Sequence, residues 1–419
     1  LVAIMTQWLN ARMRDLESGL TPIAVRDHVL VVGWTNRTPT IVKELVMSGS
    51  RVRRFLRIRG ARTLRIAILA DEVTMALSVE LRERLGSLWK ERQIILRTGS
   101  ALRLEHLRRV AFMHASAVIM PAADFGGGGP DQADSRAIKT LLSMTNHPAT
   151  RDTNTLPLAV VEIFDSRKLE IAAGAYGGPV EVLASDAIVS RLIAQNVRHA
   201  GLSSVYGELL THGRGSEIYI RECAELAGMR FGEAARAFPR AILLGIVKPV
   251  GASFDPELNP PPDMVLTPEH RLALLAHSYD GTTPAKIDDA YDPPSIRPMP
   301  RAVDPETVRV LVLGWSHKVP ALLAEFDSYR DETFHIDVVS TVSLAEREAA
   351  LRRFDFAPTR ITHEQIEADF TTRSVLERSK VTGYDSIVLI GSDRLASGEE
   401  SDARSLLAYL LLRELRALA

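Results

Sequence analysis

Among its 419 residues the chain has one cysteine, Cys223. A lone thiol excludes an internal disulfide and any zinc cage of several thiolates, and a reducing compartment is the default for such a sequence. Charge of one sign is missing as well. Lys and Arg number 51 against 52 Asp and Glu, a formal net charge of -1. Binding nucleic acid requires a basic surplus that neutralises phosphates, so no nucleic-acid partner is expected. No apolar run approaches the roughly 20 residues of a membrane helix. The histidines form no H-E-x-x-H, and His106, His114 and His147 are scattered enough to read as ordinary surface residues. Neither Ser185-Asp186 nor Ser216-Glu217 lies in a G-x-S-x-G elbow. Nothing pairs a nucleophile with a base, and a protein that is not an enzyme is expected.

What is present is an alternation of short apolar runs with amphipathic stretches. DHVLVVG (27–33), LRIAILADE, QIILRTG and AVIM read as central parallel strands, LPLAVVEIFD and VEVLASD as two more, with helices between them. This order implies right-handed crossovers and an α/β fold with a doubly wound, Rossmann-like sheet. Residues 27–212 form this first lobe, ending in one long helix from Ala187 to Leu210 that is expected to join subunits. Residues 213–278 read as a small β-rich lobe. Of the 22 prolines, 12 fall between Pro249 and Pro305, so residues 279–305 read as an extended linker. A second sheet begins at 306 and runs to 419, incomplete at its C-terminal end. The chain opens on Leu1, with Ile4, Met5, Trp8 and Leu9 at helical spacing, so residues 1–26 read as a leading helix that continues something upstream.

The second sheet repeats the first. VLVVGWTNRTP at Val29 recurs as VLVLGWSHKVP at Val310, and Gly33 matches Gly314. Leu107, Val118 and Asp134 match Leu376, Ile387 and Asp402 at a nearly constant offset.

Gly-Trp-Ser/Thr after the first strand, Arg97-Thr98-Gly99-Ser100 after the third, the stretch Asp131 to Ala137, GMRFGEAARAFPRAILLGIVKP and Ser401 to Ser405 together carry a resemblance. The chain resembles the tandem regulator-of-potassium-conductance (RCK, TrkA-N-like) modules of the CASTOR/POLLUX ion channels, over nearly its whole length. That resemblance implies a homotetrameric gating ring on the cytoplasmic face of a membrane, joined by the leading helix to its own transmembrane pore. It also implies cation transport and, as in plant members, a role for Ca2+ or another divalent cation. Two alternatives share the fold: a soluble NAD(P)-dependent oxidoreductase, and a TrkA-like peripheral subunit of potassium uptake.

The candidate sites lie at strand ends, where open α/β sheets bind ligands. In the loop Gly33, Trp34, Thr35, Asn36 only the first glycine of G-x-G-x-x-G survives, and Trp34 stands where a pyrophosphate would need close backbone approach. NAD in its usual pose is therefore not expected. Asp71 and Glu72 stand where a ribose-binding acid would stand, or are a solvated strand end. Thr98, Gly99 and Ser100 form a turn whose backbone donors suit an anion, or Gly99 is a plain positive-φ turn. Asp124, Asp131 and Asp134 flank four glycines and offer oxygen ligands for a hard cation, although Asp131 equally suits a helix N-terminus. Arg136 and its counterpart Arg404 are assigned to ion pairs that pack subunits. The second copy has Ala368 and Asp369 where the first has Gly99 and Ser100, which makes the first copy the better ligand site.

Overall fold

The structure, a computed structural model, describes residues 18–47, 63–90, 92–122, 129–148, 156–211, 215–250, 253–286, 307–395 and 398–417. Residues 1–17 of the leading helix, Asp124 and most of the linker lie outside the described residues; residues 18–26, also assigned to that helix, carry no helix.

The first lobe runs β1 His28–Val32, α1 Thr38–Met47, β2 Ile66–Ala70, α2 Met75–Leu85, β3 Ile94–Thr98, α3 Leu104–Arg109, β4 Ala115–Met120, α4 Gly129–Thr145, β5 Leu158–Ile163, α5 Leu169–Gly174, β6 Val180–Ala184 and α6 Ser185–Arg198. All six strands are parallel, in the order β3-β2-β1-β4-β5-β6. The order reverses beside β1, so the loops after β1 and β4 diverge and leave a crevice at their C-terminal ends. The apolar runs of β1 and β2 are buried on both faces, against Leu107, Val118 and Leu141 on one side and Val42, Leu81 and Leu85 on the other. Double-sided burial is why these strands read as continuous hydrophobic runs.

The single long helix expected from Ala187 to Leu210 is two. α6 stops at Arg198, and α7 spans Leu202–Leu210. His199 is extended (φ -134°, ψ 97°) and Gly201 takes φ +97°, a left-handed conformation that breaks the hydrogen-bond ladder. The break also separates two compact units: Gly201–Ala302 forms one, and the described residues before and after it form the other.

In the smaller unit α7 is followed by β7 Glu217–Glu222, α8 Phe231–Ala234, β8 Ala241–Val250, β9 Ser253–Leu258 and β10 Arg271–Ala276, an antiparallel sheet ordered β7-β10-β8-β9. Its core holds Cys223, Leu226, Phe231, Phe238, Ile246, Leu272 and Leu274. The proline-rich stretch hides β9. Pro256 is tolerated there because β9 is an edge strand and needs no donor on its outer side. Ordered structure also continues beyond residue 278, where the linker was expected to begin. Tyr279–Thr282 form a 3-10 turn capped by Ser278, Thr282 is buried, and the Ala285 N–H donates to the Ala237 carbonyl (2.7 Å).

The second lobe shares a unit with the first. It runs β11 Thr307–Leu313, α9 Val319–Ser328, β12 Thr333–Ser340, α10 Leu344–Arg353, β13 Thr362–Glu367, α11 Arg373–Arg378, β14 Ser386–Leu389 and α12 Gly398–Ala417. The strand order β13-β12-β11-β14 repeats the first four strands of the first sheet. α6 joins the lobes. Ala194, with Ile193 and Val197 beside it, packs into the cluster of Val319, Leu322, Leu323 and Phe326. Arg198 forms a bidentate pair with Glu332 (2.6 and 3.0 Å) and lies 4.2 Å from the centre of the Tyr329 ring. Charge-assisted, two-pronged bonds of this type fix geometry as well as adding energy. The apolar face of α6, expected to meet another subunit, is thus committed within its own chain.

Candidate functional site: a crevice in each lobe

In the first lobe the strand-end residues Gly33, Trp34, Thr35, Asp71, Gly99 and Ser100 surround one cavity of about 100 Å3, closed on its helix side by Arg136. Asn36, Glu72 and Thr98 do not line it. Asn36 and Glu72 are exposed on neighbouring loops. The Thr98 hydroxyl donates to the Ser18 carbonyl (2.6 Å) and accepts the Val73 N–H (2.9 Å), so it braces the chain before β1.

The expectation of free backbone donors at residues 98–100 is not met. The Thr98 N–H donates to the Gly19 carbonyl (3.1 Å), that of Gly99 to Ala70 (2.7 Å), and that of Ser100 to His106 Nδ1 (2.9 Å). His106 is therefore a packing partner of the turn. Gly99 is required by that partner, since a Cβ there would meet His106 carbons at 2.7–2.8 Å. His147, also read as a surface residue, is buried edge-on against Phe112.

The β1 loop is likewise closed on itself. The Thr35 N–H donates to Thr38 Oγ1 (2.9 Å), the Arg37 N–H to Thr35 Oγ1 (3.2 Å), and the Thr38 N–H to the Thr35 carbonyl (3.0 Å). Trp34 packs at the edge of the core beneath α1 and α2. These N–H groups already have partners, and a cavity of this size is well below the roughly 300 Å3 at which drug-sized ligand sites begin.

The acidic residues of α4 have another task. Asp134 is fully buried and accepts the N–H groups of Phe164 (2.7 Å) and Asp165 (3.2 Å) at the end of β5. Lys168 bridges Asp134 (3.0 Å) and Asp131 (2.6 Å). Burial alone would lower the Lys168 pKa, but the bonds from Asp131 and Asp134 carry it above its ordinary value. An ammonium therefore occupies the position between these carboxylates where a cation was expected. Among the described residues no group of three or more metal-ligating side chains converges. Arg136 reaches Asp71 (3.7 Å) and Arg404 reaches Asp369 (2.8 Å), both within the chain.

The second crevice holds only about 30 Å3, lined by Gly314, Trp315, Phe370, Ile390 and Arg404. Phe370 fills it, and Trp315 is buried. Asp369 is kept ionised: burial would raise its pKa, but bonds from Thr371 and the Arg404 guanidinium hold it below the usual carboxylate range.

Between the lobes lies a larger cleft of about 510 Å3, with Phe164 and Lys168 on one wall and His317, Phe354 and Asp393 on the other. The His317 ring packs edge-on against Phe164 (5.2 Å), and Asp393 accepts both the His317 N–H (2.8 Å) and Nδ1 (2.7 Å). Burial would raise the Asp393 pKa, but those bonds hold it low. Sequence reasoning missed this pair. The signal was the repeat itself, which sets His317 opposite Asn36.

The chain thus holds two Rossmann-like lobes in tandem, and in the first the loop after β1 is closed by its own hydrogen bonds. Residues 186–292 match the family model described as Castor and Pollux, part of voltage-gated ion channel. The whole chain aligns at 25% identity over 425 residues with the probable ion channel CASTOR of Oryza sativa subsp. japonica, and at 24% over 426 with the ion channel CASTOR of Lotus japonicus. It spans 45% and 47% of those proteins, about half the length of the curated relatives it matches. Among solved structures it resembles the human SLO3 gating ring, with TM-score 0.62 and 15% identity, covering 91% of this chain and 70% of that one. The resemblance read from Gly-Trp-Thr/Ser and the stretch Asp131 to Ala137 therefore holds as a similarity: the chain is similar over its whole length to the CASTOR ion channels, and its fold is that seen in the SLO3 gating ring. Among the described residues no helix is long and apolar enough to cross a membrane.

Proposed function

We propose that the chain is the regulatory gating-ring region of a tetrameric CASTOR/POLLUX-like cation channel, on the cytoplasmic face of the membrane, and that it converts ligand or ion binding into pore opening or closing. The observation that carries this reading is similarity along the entire chain to ion channels about twice its length. The remainder of such a protein would hold the pore. In support, α6 couples the two lobes through buried apolar contacts and the Arg198–Glu332 pair, so a change at one crevice can be passed on as a rigid displacement. A coupling of about 1–3 kcal/mol per subunit is typical of allostery, and four subunits multiply it. Ca2+ remains the ion that the family resemblance points to. Asp131 and Asp134 would bind it only by releasing Lys168, so such a site would draw on Asp124 or on other residues. The reading is non-enzymatic.

The test is electrical. In the full-length channel carrying this region, single-channel recording with and without cytoplasmic Ca2+ is expected to show a change in open probability that disappears when residues 201–419 are removed. An open probability indifferent to both manipulations would overturn the reading.

A further inference from the structure

The two crevices occupy equivalent places, so each side chain of one has a counterpart in the other. The bond from the Gly99 N–H to the Ala70 carbonyl (2.7 Å) recurs as the bond from the Ala368 N–H to the Ser340 carbonyl (3.0 Å). This sets Ser100 opposite Asp369 and Ala101 opposite Phe370. On the helix that closes each crevice, Arg136 lies opposite Arg404.

The second crevice is filled from within. Arg404 Nη2 donates to Asp369 Oδ1 at 2.8 Å, its guanidinium lies 5.6 Å from the centre of the Phe370 ring, and that ring is buried. In the first crevice neither partner exists. Ser100 has no charge and Ala101 no ring, and among the described residues Arg136, 60% exposed, has only the exposed carboxylate of Asp71 at 3.7 Å. The space left is about 100 Å3 against about 30 Å3, with Ala101, Met120 and Ala137 among its apolar lining.

We propose that the first crevice binds a small monocarboxylate with a short apolar tail, its carboxylate held by Arg136 and its tail lying over Ala101. The ligand supplies from solution what Asp369 and Phe370 supply covalently in the second lobe. A planar guanidinium matches a carboxylate in two-pronged fashion. Ser100 Oγ accepts the Leu102 N–H (3.4 Å), as Asp369 Oδ1 accepts that of Thr371 (3.0 Å), and it retains its own hydroxyl proton to donate to the ligand. Among the described residues Asp71 is the only acid on the cavity wall and the Arg136 guanidinium faces it at 3.7 Å, which disfavours a divalent cation. The proposal rests on the regulatory reading above and names the ligand class for that site.

Calorimetric titration of the whole chain with butyrate, and with butyramide as its neutral counterpart, tests it. Butyrate is expected to bind one per chain and butyramide not to bind. Arg136→Ala should weaken butyrate about tenfold or more, while Arg404→Ala leaves its affinity unchanged. The double variant Ser100→Asp, Ala101→Phe, which builds the second crevice into the first, should abolish binding with the circular dichroism of the fold intact. Absence of butyrate binding to the wild type at millimolar concentration, equal binding of butyramide, or an unaltered affinity in Arg136→Ala would each overturn the proposal. Butyrate binding in a channel whose open probability ignores this region would instead overturn the regulatory reading and leave the site standing.

Discussion

The two Rossmann-like lobes start from the same strand and the same Gly-Trp turn, yet one crevice stays open and the other is packed shut. Gly33 and Gly314 have nearly the same backbone, φ +100° and +109°. Around Gly33 a Cβ would meet nothing within 4 Å, whereas at Gly314 it would run into the Ile390 carbonyl oxygen at 2.1 Å. The second lobe has drawn its β14 end against the turn and filled the gap with Trp315 and Phe370. Duplication gives two copies of one scaffold. A few side-chain exchanges at strand ends then turn one copy into structure and leave the other available for a ligand.

The largest expected effect separates those two glycines. Gly314→Ala combines positive-φ strain of about 1–2 kcal/mol with backbone overpacking of about 1–3 kcal/mol, and thermal unfolding should show the second lobe weakened by their sum. Gly33→Ala should cost only the strain. Equal losses would mean that the two turns are not packed differently.

Next comes the helix that follows β4 or β14. Asp134→Ala leaves the N–H groups of Phe164 and Asp165 without the carboxylate that accepts them, at about 2–3 kcal/mol, while Lys168 keeps Asp131. Its sequence counterpart Asp402 is exposed, and Asp402→Ala should leave the denaturation midpoint unchanged. The difference arises because the β5 end that Asp134 caps has no equivalent among the described residues of the second lobe.

The smallest effect is in pH. His28 is fully buried in β1, its Nε2 bonded to the Val110 carbonyl (3.0 Å), while the second copy has exposed Arg309 at that place. Burial lowers the His28 pKa, outweighing that bond. The unfolded chain then binds the extra proton first, so the stability contributed by neutral His28 is complete above about pH 6.5 and declines as pH falls from there toward the folded value. Chemical denaturation between pH 7 and 5 should show this slope in the wild type and a shallower one in His28→Gln. An unchanged slope would assign the acid sensitivity to His147 or His363, whose values burial also lowers.

Much of the architecture was legible because both faces of β1, β2 and β11 are covered, and such strands must be written as apolar runs. The crevice was legible in part. Gly33, Trp34, Thr35, Asp71, Gly99 and Ser100 do converge, since parallel strands bring their C-terminal ends to one edge. The metal reading of Asp131 and Asp134 missed Lys168, more than thirty residues away and on another element. β9 was missed because prolines mask an edge strand, and the break at Gly201 because helical periodicity continues on both sides of it.

Sequence alone determined the succession of strands and helices in the two Rossmann-like lobes, their duplication and the similarity to CASTOR and POLLUX, because solvent periodicity and a repeated motif are local properties of the chain. Tertiary structure alone decided which polar groups remain available. The donors of residues 98–100 are consumed by Gly19, Ala70 and His106, Arg404 is matched to Asp369, and Arg136 is left over the open space. Hydrogen bonds between residues far apart in sequence leave no periodic trace, so only the folded chain assigns them.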